Sequence, residues 1–208
     1  YTDVGREWDR NFFSQLTYQE RFGKLGLRGI MKYTNDFLHY RSDYPENISV
    51  HANNKYHQQD IYGAVAASYK LGDFGTSASS DLRWSDLTTD VRHFTYVYRM
   101  DSKTSLAAFY SHRGFNANLS GLYTNISDHT RGSMKTLKRY TWTSLASYTL
   151  GRWTLRTFYK SVFRAPTLND LYYTLVGNRN LKPEYTRQFD VGFAYKDKFF
   201  DIQVDGYY

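Results

Sequence analysis

The chain has 208 residues, no cysteine, only three prolines and 19% aromatic residues, including 21 tyrosines. The lack of cysteine excludes a disulfide framework and any cysteine-ligated metal. The longest apolar run extends only from Leu106 to Tyr110, far short of the roughly 20 residues that a membrane-spanning helix needs. The net charge of +7 comes from scattered lysines and arginines rather than from charge runs, so we expect no nucleic-acid partner.

Apolar and polar residues alternate with a period of two along most of the chain, which predicts ten β-strands of roughly ten residues each. In the first four strands the apolar positions that share one face are Phe12, Leu16, Tyr18 and Phe22, then Leu25, Leu27, Met31 and Tyr33, then Ile61, Val65, Tyr69 and Leu71, then Phe74, Ala78, Leu82 and Trp84. The fifth and sixth strands, at about residues 104–112 and 117–126, alternate less regularly. In the last four strands the apolar positions are Trp142, Ala146 and Tyr148, then Trp153, Leu155 and Tyr159, then Phe189, Val191 and Phe193, then Ile202, Val204 and Tyr208.

The predicted connections alternate in length. Short turns are expected at Gly23, Gly72–Asp73, Arg113–Gly114, Gly151–Arg152 and 196–198, and long loops at about 36–56, 87–103, 127–139 and 164–184. Short turns on one side and long loops on the other are typical of an outer-membrane β-barrel, with the turns periplasmic and the loops extracellular. Several aromatic residues fall near predicted strand ends, where membrane-interface girdles lie.

Three other interpretations remain open from the pattern alone. A complete ten-stranded barrel could act as a passive pore or as an outer-membrane protease, because bacterial barrels use even strand numbers from eight upward. A soluble β-sandwich, including a carbohydrate-binding domain, also alternates apolar and polar residues. However, a sandwich has no reason to sort its connections by length, and the second face here is rich in lysine, arginine, serine and threonine, which suits a wet lumen.

The most specific signal is a pair of motifs near the carboxyl end. Residues 163–173 read FRAPTLNDLYY, and residues 177–184 read GNRNLKPE. Proline cannot donate to a β-ladder and disfavours helix before it, so Pro166 and Pro183 predict a strand ending near Arg164 and another starting after Glu184.

These motifs resemble the paired FRAP and NPNL-type boxes in the barrel of TonB-dependent outer-membrane receptors. The departure is Arg179, where the family usually has proline, and the following YTRQFDVG at 185–192 resembles the family's next strand. The resemblance implies an all-β fold: a transmembrane antiparallel barrel of about 22 strands around a plug domain, with residues 1–208 forming one partial domain at about strands 5 to 14. Residues 56–62 and 205–208 look most like members from Bacteroidota. The chain begins at Tyr1 without a signal-peptide pattern, and we expect it to be a fragment that lacks the plug.

The resemblance also implies a function: active uptake of an iron chelate (siderophore or haem) or cobalamin across the bacterial outer membrane, with no cofactor and no enzymatic activity. The implied partners are outer-membrane lipid and lipopolysaccharide, the ligand, TonB through the missing plug region, and a surface lipoprotein. The haem branch usually has a ligating histidine between the boxes, whereas no histidine lies between Thr167 and Gly177 here. A siderophore complex or cobalamin is therefore favoured over haem as the ligand.

Two sets of residues are expected to carry these roles. The ligand-binding candidates on the extracellular loop are Arg164, Asn169, Asp170, Tyr172, Tyr173, Asn178 and Arg179. The architectural residues of the boxes are Phe163, Arg164, Ala165, Pro166, Asn178, Asn180, Leu181, Pro183 and Glu184. Tyr172 and Tyr173 could ligate iron as phenolates, but aromatic packing is the favoured role.

Catalytic and metal-binding signals are weak. The pair Asp86 and His93 is too loosely defined to indicate an active site, and no hydrolase or nucleotide-binding motif is present. Calcium could be held by oxygen ligands near the first long loop, but the fixed spacing of a calcium-binding loop is missing and a solvated loop is favoured. The candidate ligands are Asp36, Asp43 and Glu46.

Overall fold

A computed structural model describes residues 5–42, 52–172 and 177–208. They form one antiparallel sheet of ten strands in sequential order, with β1 and β10 at its two edges. The strands are β1 Gly5–Phe22, β2 Leu25–Ser42, β3 Ala52–Leu71, β4 Phe74–Thr89, β5 Val97–His112, β6 Phe115–Thr130, β7 Ser133–Leu150, β8 Trp153–Arg164, β9 Glu184–Lys196 and β10 Asp201–Tyr207. The helix α1, Leu168–Tyr172, lies between β8 and β9. No helix among the described residues is long and apolar enough to cross a membrane.

The cross-strand register confirms the predicted faces. Met31 pairs with Leu16 on one side and Gly63 on the other, and Val65 pairs with Gly29 and Ser80. Because side chains alternate along a strand, these positions lie on one face, the apolar face. Its large side chains are strongly exposed, as with Leu16 at 69% and Val65 at 65%. The opposite, polar face carries the charged and hydroxyl side chains of the same strands.

The strands are longer than the predicted ten residues, since the first seven have 16 to 20. The alternation of apolar and polar residues reveals only the part of a strand that has an apolar face. The backbone stays paired beyond that part, where both faces of the strand are polar. The predicted long loop at 127–139 is therefore wrong: β6 runs to Thr130, β7 starts at Ser133, and Gly132 turns the chain with a φ of 81°. Much of the predicted loops at 36–56 and 87–103 is also strand.

The five predicted short turns are confirmed at one end of the sheet, and the box segment is confirmed as the long connection at the other end. β8 ends at Arg164 and β9 begins at Glu184, one residue earlier than the predicted restart. Nineteen positions, 165–183, separate these strands on the end opposite the short turns.

The facing of the strands yields a first prediction. Leu27→Arg or Val65→Arg on the apolar face should block assembly, because an arginine on the lipid face at the membrane midplane costs roughly 2–4 kcal/mol. The matched changes Arg28→Gln and Ala66→Ser on the polar face should be mild. Heat-modifiable electrophoretic migration measures assembly, and equal defects in both pairs would contradict the assigned faces.

Candidate functional site

The candidate site is built around the rim segment, which is the connection of residues 165–183 at the end opposite the short turns. Of its described parts, 165–172 and 177–183, the first borders the polar face of the sheet. Its helix α1 is attached by an apolar contact: Leu168 is 5% exposed and packs against Leu87 and Val97, which are 1% and 0% exposed. Phe94 and Tyr172 border this cluster. The segment is thus anchored to the ends of β4 and β5.

A second anchor is the buried side chain of Arg99 on β5. Its Nε and Nη2 atoms donate to the two carboxylate oxygens of Asp128 on β6 at 2.6 and 2.8 Å. Its Nη1 atom donates to the backbone carbonyl of Pro166 at 2.6 Å. A paired fork of this kind fixes both partners in orientation. Arg99 therefore ties the first box to strands β5 and β6.

Within the segment, α1 begins with a reciprocal cap. The backbone N–H of Thr167 donates to the Asp170 carboxylate at 2.8 Å, and the backbone N–H of Asp170 donates to the Thr167 hydroxyl at 3.1 Å. This is the capping-box arrangement, with an acidic residue in the third helical position. The hydrogen bonds from Thr167 hold the pKa of Asp170 below its ordinary value.

A backbone hydrogen bond joins the two boxes, and two more shape the second box. The backbone N–H of Asn178 donates to the carbonyl of Asp170 at 2.8 Å. The Asn178 side-chain oxygen accepts from the Asn180 N–H at 2.9 Å, and its carbonyl accepts from the Leu181 N–H at 3.1 Å. Asparagine stabilises such turns through its side chain. Asp170 and Asn178 therefore have a structural role in the segment.

Arg179, the departure from the family pattern, contacts an aromatic ring. Its guanidinium carbon lies 5.3 Å from the ring centroid of Tyr172, within the range of a cation–π contact. Burial, with a further contribution from the negative charge of Asp128, raises the pKa of the Tyr172 phenol. The described contact of Tyr172 is therefore with Arg179, and its role towards a ligand stays a prediction.

Beneath the rim segment lies a cavity of about 410 Å³ on the polar face. Strands β3 to β6 form its floor, and the segment from Phe163 to Asn169 forms its roof. The lining residues that carry charge or hydrogen-bonding groups are Gln58, Arg83, Ser85, Arg99, Asp101, Lys103, Thr124, Arg164, Thr167 and Asn169. Two of the predicted ligand-binding residues, Arg164 and Asn169, therefore border one concave space.

The charged side chains on the cavity floor differ in whether they have a hydrogen-bonding partner. Arg83 is paired with Asp60, with Nη2 at 2.9 Å from the carboxylate, and Asp60 also accepts from Ser85. In contrast, the buried Oδ1 atom of Asp101 has no hydrogen-bond partner among the described residues. A buried polar atom without a partner is costly, and this oxygen is too buried to be reached from the cavity. Lys103 lies beside it as a cation.

The predicted residues thus divide into three groups. Arg164 and Asn169 border the cavity, Asp170 and Asn178 hold the segment together, and Tyr172 stacks with Arg179. Tyr173 lies outside the described residues. Arg164 also approaches Glu184 at 3.8 Å, but both side chains are exposed and the pair is weak.

Of the architectural residues of the boxes, Phe163 and Arg164 end β8 and Glu184 begins β9, and the others lie in the rim segment between these strands. Phe163 contacts the ring of Tyr185 on β9, with centroids 5.4 Å apart. Of the calcium candidates, Asp36 lies on the polar face of β2, while Asp43 and Glu46 lie outside the described residues. No cluster of three or more histidine or acidic side chains suited to a metal occurs in the described part of the chain.

The sequence analysis missed the residues that attach the segment to the wall. Arg99, Asp128, Leu87 and Val97 come from strands far from the boxes along the chain, and Arg99 and Asp128 lie outside the predicted limits of strands five and six. Arg99 and Asp128 face each other at the open end of the β5–β6 hairpin but are 29 residues apart in the sequence, so no short-range spacing reveals the pair. The correct strand limits would have placed them opposite each other, since they form a register pair.

Comparison with known proteins agrees with this fold. A family model described as "TonB dependent receptor-like, beta-barrel" matches residues 1–208. The vitamin B12 transporter BtuB of Photobacterium profundum is 40% identical over 45 residues, which are 22% of this chain and 7% of that protein.

Solved structures give the same result at low sequence identity. The copper transporter OprC superposes with a TM-score of 0.76 at 12% identity over 96% of this chain, and the FrpB iron transporter of Neisseria meningitidis with 0.74 at 13% identity over 95%. At such identities the likeness concerns the fold. The chain spans 37% of OprC and 36% of FrpB, well under half of each.

The Arg99 anchor yields a second prediction. In the full-length protein, Arg99→Met should leave the Asp128 carboxylate buried without its partner, destabilising the local structure by about 3–5 kcal/mol. Hydrogen exchange at the amides of the rim segment should accelerate accordingly. Adding Asp128→Leu should recover much of the loss at β5 and β6, but the segment should remain loose because the bond to Pro166 is still missing. Unchanged exchange in Arg99→Met would contradict the anchoring role.

The capping box yields a pH prediction. Because the pKa of Asp170 is lowered in the folded state, its contribution to stability is complete above the ordinary pKa of an aspartate and is lost as the pH falls through the lower, folded value. Proteolysis of the rim segment by an acid-active protease should therefore accelerate at acidic pH in the parent. Asp170→Asn should be cleaved faster even near neutral pH and should depend less on pH. An identical pH dependence in both proteins would contradict this role.

Proposed function

The chain belongs to the TonB-dependent receptor-like β-barrel family, and on that premise we propose that it forms the central wall of an active importer. The protein lies in the bacterial outer membrane, with the apolar face of the sheet towards lipid and the polar face towards the lumen. We place residues 1–208 as one partial domain, at about strands 5 to 14 of about 22. The importer would bind its ligand on the extracellular side and release it inward with energy delivered through TonB.

The observation that carries this proposal is the anchored rim segment over a polar cavity. Binding sites are usually preformed concavities with a few convergent polar groups. The apolar contact of Leu168 and the hydrogen bond from Arg99 hold the segment in place, which leaves Arg164 and Asn169 pointing to shared space. This arrangement supports ligand capture by the segment, with the cavity as one wall of the site.

The ligand class we propose is a ferric siderophore or cobalamin. Both are large, and both offer oxygen or amide groups that arginine, lysine and asparagine side chains can bind. Haem bound through a histidine in this segment is disfavoured, because no histidine lies between Thr167 and Gly177. The ring of Tyr172 already contacts the Arg179 guanidinium, which favours a packing role over ligation of haem iron. The role is binding and transport rather than catalysis.

An uptake assay tests this function. Cells that depend on the full-length receptor should accumulate radiolabelled cobalamin or a ferric siderophore only when TonB is present and the inner membrane is energised. Uptake that persists without TonB would instead support the passive-pore alternative, and degradation of added peptides by the purified receptor would support the protease alternative.

The ligand-binding residues yield a further prediction. In the full-length receptor, the double change Arg164→Gln and Asn169→Ala should weaken ligand binding, by about 2 kcal/mol or more if these are hot-spot contacts. Tyr172→Ala with Tyr173→Ala should weaken binding similarly, whereas Tyr172→Phe should keep most of the affinity because it retains the ring.

Tyr69→Ala, near a short turn at the other end, is the matched control. Equilibrium binding to cobalamin, ferric siderophores and haem measures the effect. Unchanged affinity in both double variants, with normal surface display, would reduce the segment to a structural role.

A further inference from the structure

The sheet opens between β7 and β8 on the side of the long connections. The two strands pair from Thr143 opposite Lys160 to the turn at Leu150 and Trp153. Beyond Lys160 the backbone ladder stops, and the Ser161 hydroxyl takes its place: it accepts from the Trp142 N–H at 2.8 Å and donates to the Trp142 carbonyl at 3.1 Å. Ser161 thus closes the lower end of a wedge between the strands.

Each side of this wedge remains part of a regular hairpin. Residues 133–142 of β7 stay paired with β6, and residues 161–164 of β8 stay paired with β9. The space between them, the β7–β8 gap, is a cavity of about 790 Å³. It is lined by Lys138, Arg139, Tyr140, Thr141, Trp142, Tyr159, Ser161, Val162, Tyr185, Thr186 and Arg187.

The charge of the β7–β8 gap has one sign. Lys138, Arg139 and Arg187 line it, and no carboxylate is among the described residues that do. Register places Lys138 and Arg187 on the apolar, lipid-facing side of the sheet, while Arg139 reaches across the opening with its guanidinium carbon 4.3 Å from the ring centroid of Tyr185. Three unneutralised cations in one polar opening favour an anionic occupant.

The position of the gap identifies the source of that anion. At its lower end, on the lipid-facing side, the lining residues Trp142 and Tyr159 contact each other with ring centroids 4.6 Å apart, and Tyr140 does the same with Tyr123. Tryptophan and tyrosine rings of this kind lie at the level of the lipid headgroups. Lys138 and Arg187 lie on the extracellular side of these rings, where the phosphates of the outer leaflet are found.

We propose that the β7–β8 gap binds a phosphate of a phosphorylated glycolipid, a lipopolysaccharide, in the outer leaflet. The phosphate bridges Lys138 and Arg187, with Arg139 as the third cation, while the aromatic rings pack beside the sugar and the upper acyl chains. Basic pockets between membrane-spanning elements bind anionic lipid headgroups in the same manner. A peptide strand added in the gap is disfavoured, because Ser161 already bridges its closed end and three cations line the rest. This inference depends on the outer-membrane position and not on the proposed ligand uptake.

The experiment uses full-length receptor purified in detergent and deep-rough lipopolysaccharide with intact lipid A phosphates as the probe. The double variant Lys138→Gln with Arg187→Gln should bind it about 25-fold more weakly, because each cation near an anionic surface contributes about 1 kcal/mol, or about fivefold. The conservative variant Lys138→Arg with Arg187→Lys should bind nearly as the parent does. Arg131→Gln with Lys135→Gln, two cations at the same rim that do not line the gap, is the matched control.

Three outcomes would overturn the proposal. The first is equal affinity of the parent and the double glutamine variant, with both showing parental heat-modifiable migration. The second is equal binding of lipopolysaccharide whose lipid A phosphates have been removed enzymatically. The third is displacement of the lipopolysaccharide by inorganic phosphate at the same concentration, which would assign the gap to free phosphate instead of lipid.

Discussion

The structure depends on the pairing of every strand's backbone with its neighbours. Inside a bilayer an unpaired N–H or C=O group costs several kcal/mol, so a sheet that crosses it must be laddered throughout its depth. Nine consecutive antiparallel pairs join the ten strands here. This constraint fixes which side chains face lipid, because the alternation of a paired strand leaves each position only one face. It also makes the interruption between β7 and β8 informative, since the ladder is replaced there by a serine hydroxyl.

At the end of the sheet that carries the rim segment, side-chain contacts are added to the backbone ladder. Arg99 binds Asp128 and the Pro166 carbonyl at once, so one buried guanidinium joins two strands and the rim segment. The cluster of Leu87, Val97 and Leu168 adds an apolar contact at the same place. Loops that carry binding residues work best when a rigid scaffold holds them. The anchored segment and the cavity beneath it are therefore parts of one arrangement.

Residues of the two motifs make structural contacts that the resemblance to the family did not imply. Asp170 and Asn178, both expected to bind ligand, cap α1 and join the boxes, so their side chains or backbones are already engaged. Arg179, at a position where the family usually has proline, contacts Tyr172 instead of fixing a turn through its own backbone. The residues left facing the cavity are Arg164 and Asn169, a smaller set than the sequence suggested.

The sequence by itself determined the fold class, the facing of eight of the ten strands, the five short turns, the end of β8 and, to within one residue, the start of β9. Each of these follows from local chemistry: period-two alternation, glycine-containing turns, and prolines that cannot pair in a ladder. Only the tertiary structure decided the strand lengths, the tight turn at Gly132, the Arg99 anchor and the β7–β8 gap. Backbone pairing beyond the membrane leaves no apolar signature, and contacts between distant strands depend on register and not on spacing along the chain. The sequence therefore identified the sheet and the two motifs, while the tertiary structure decided which side chains contact each other.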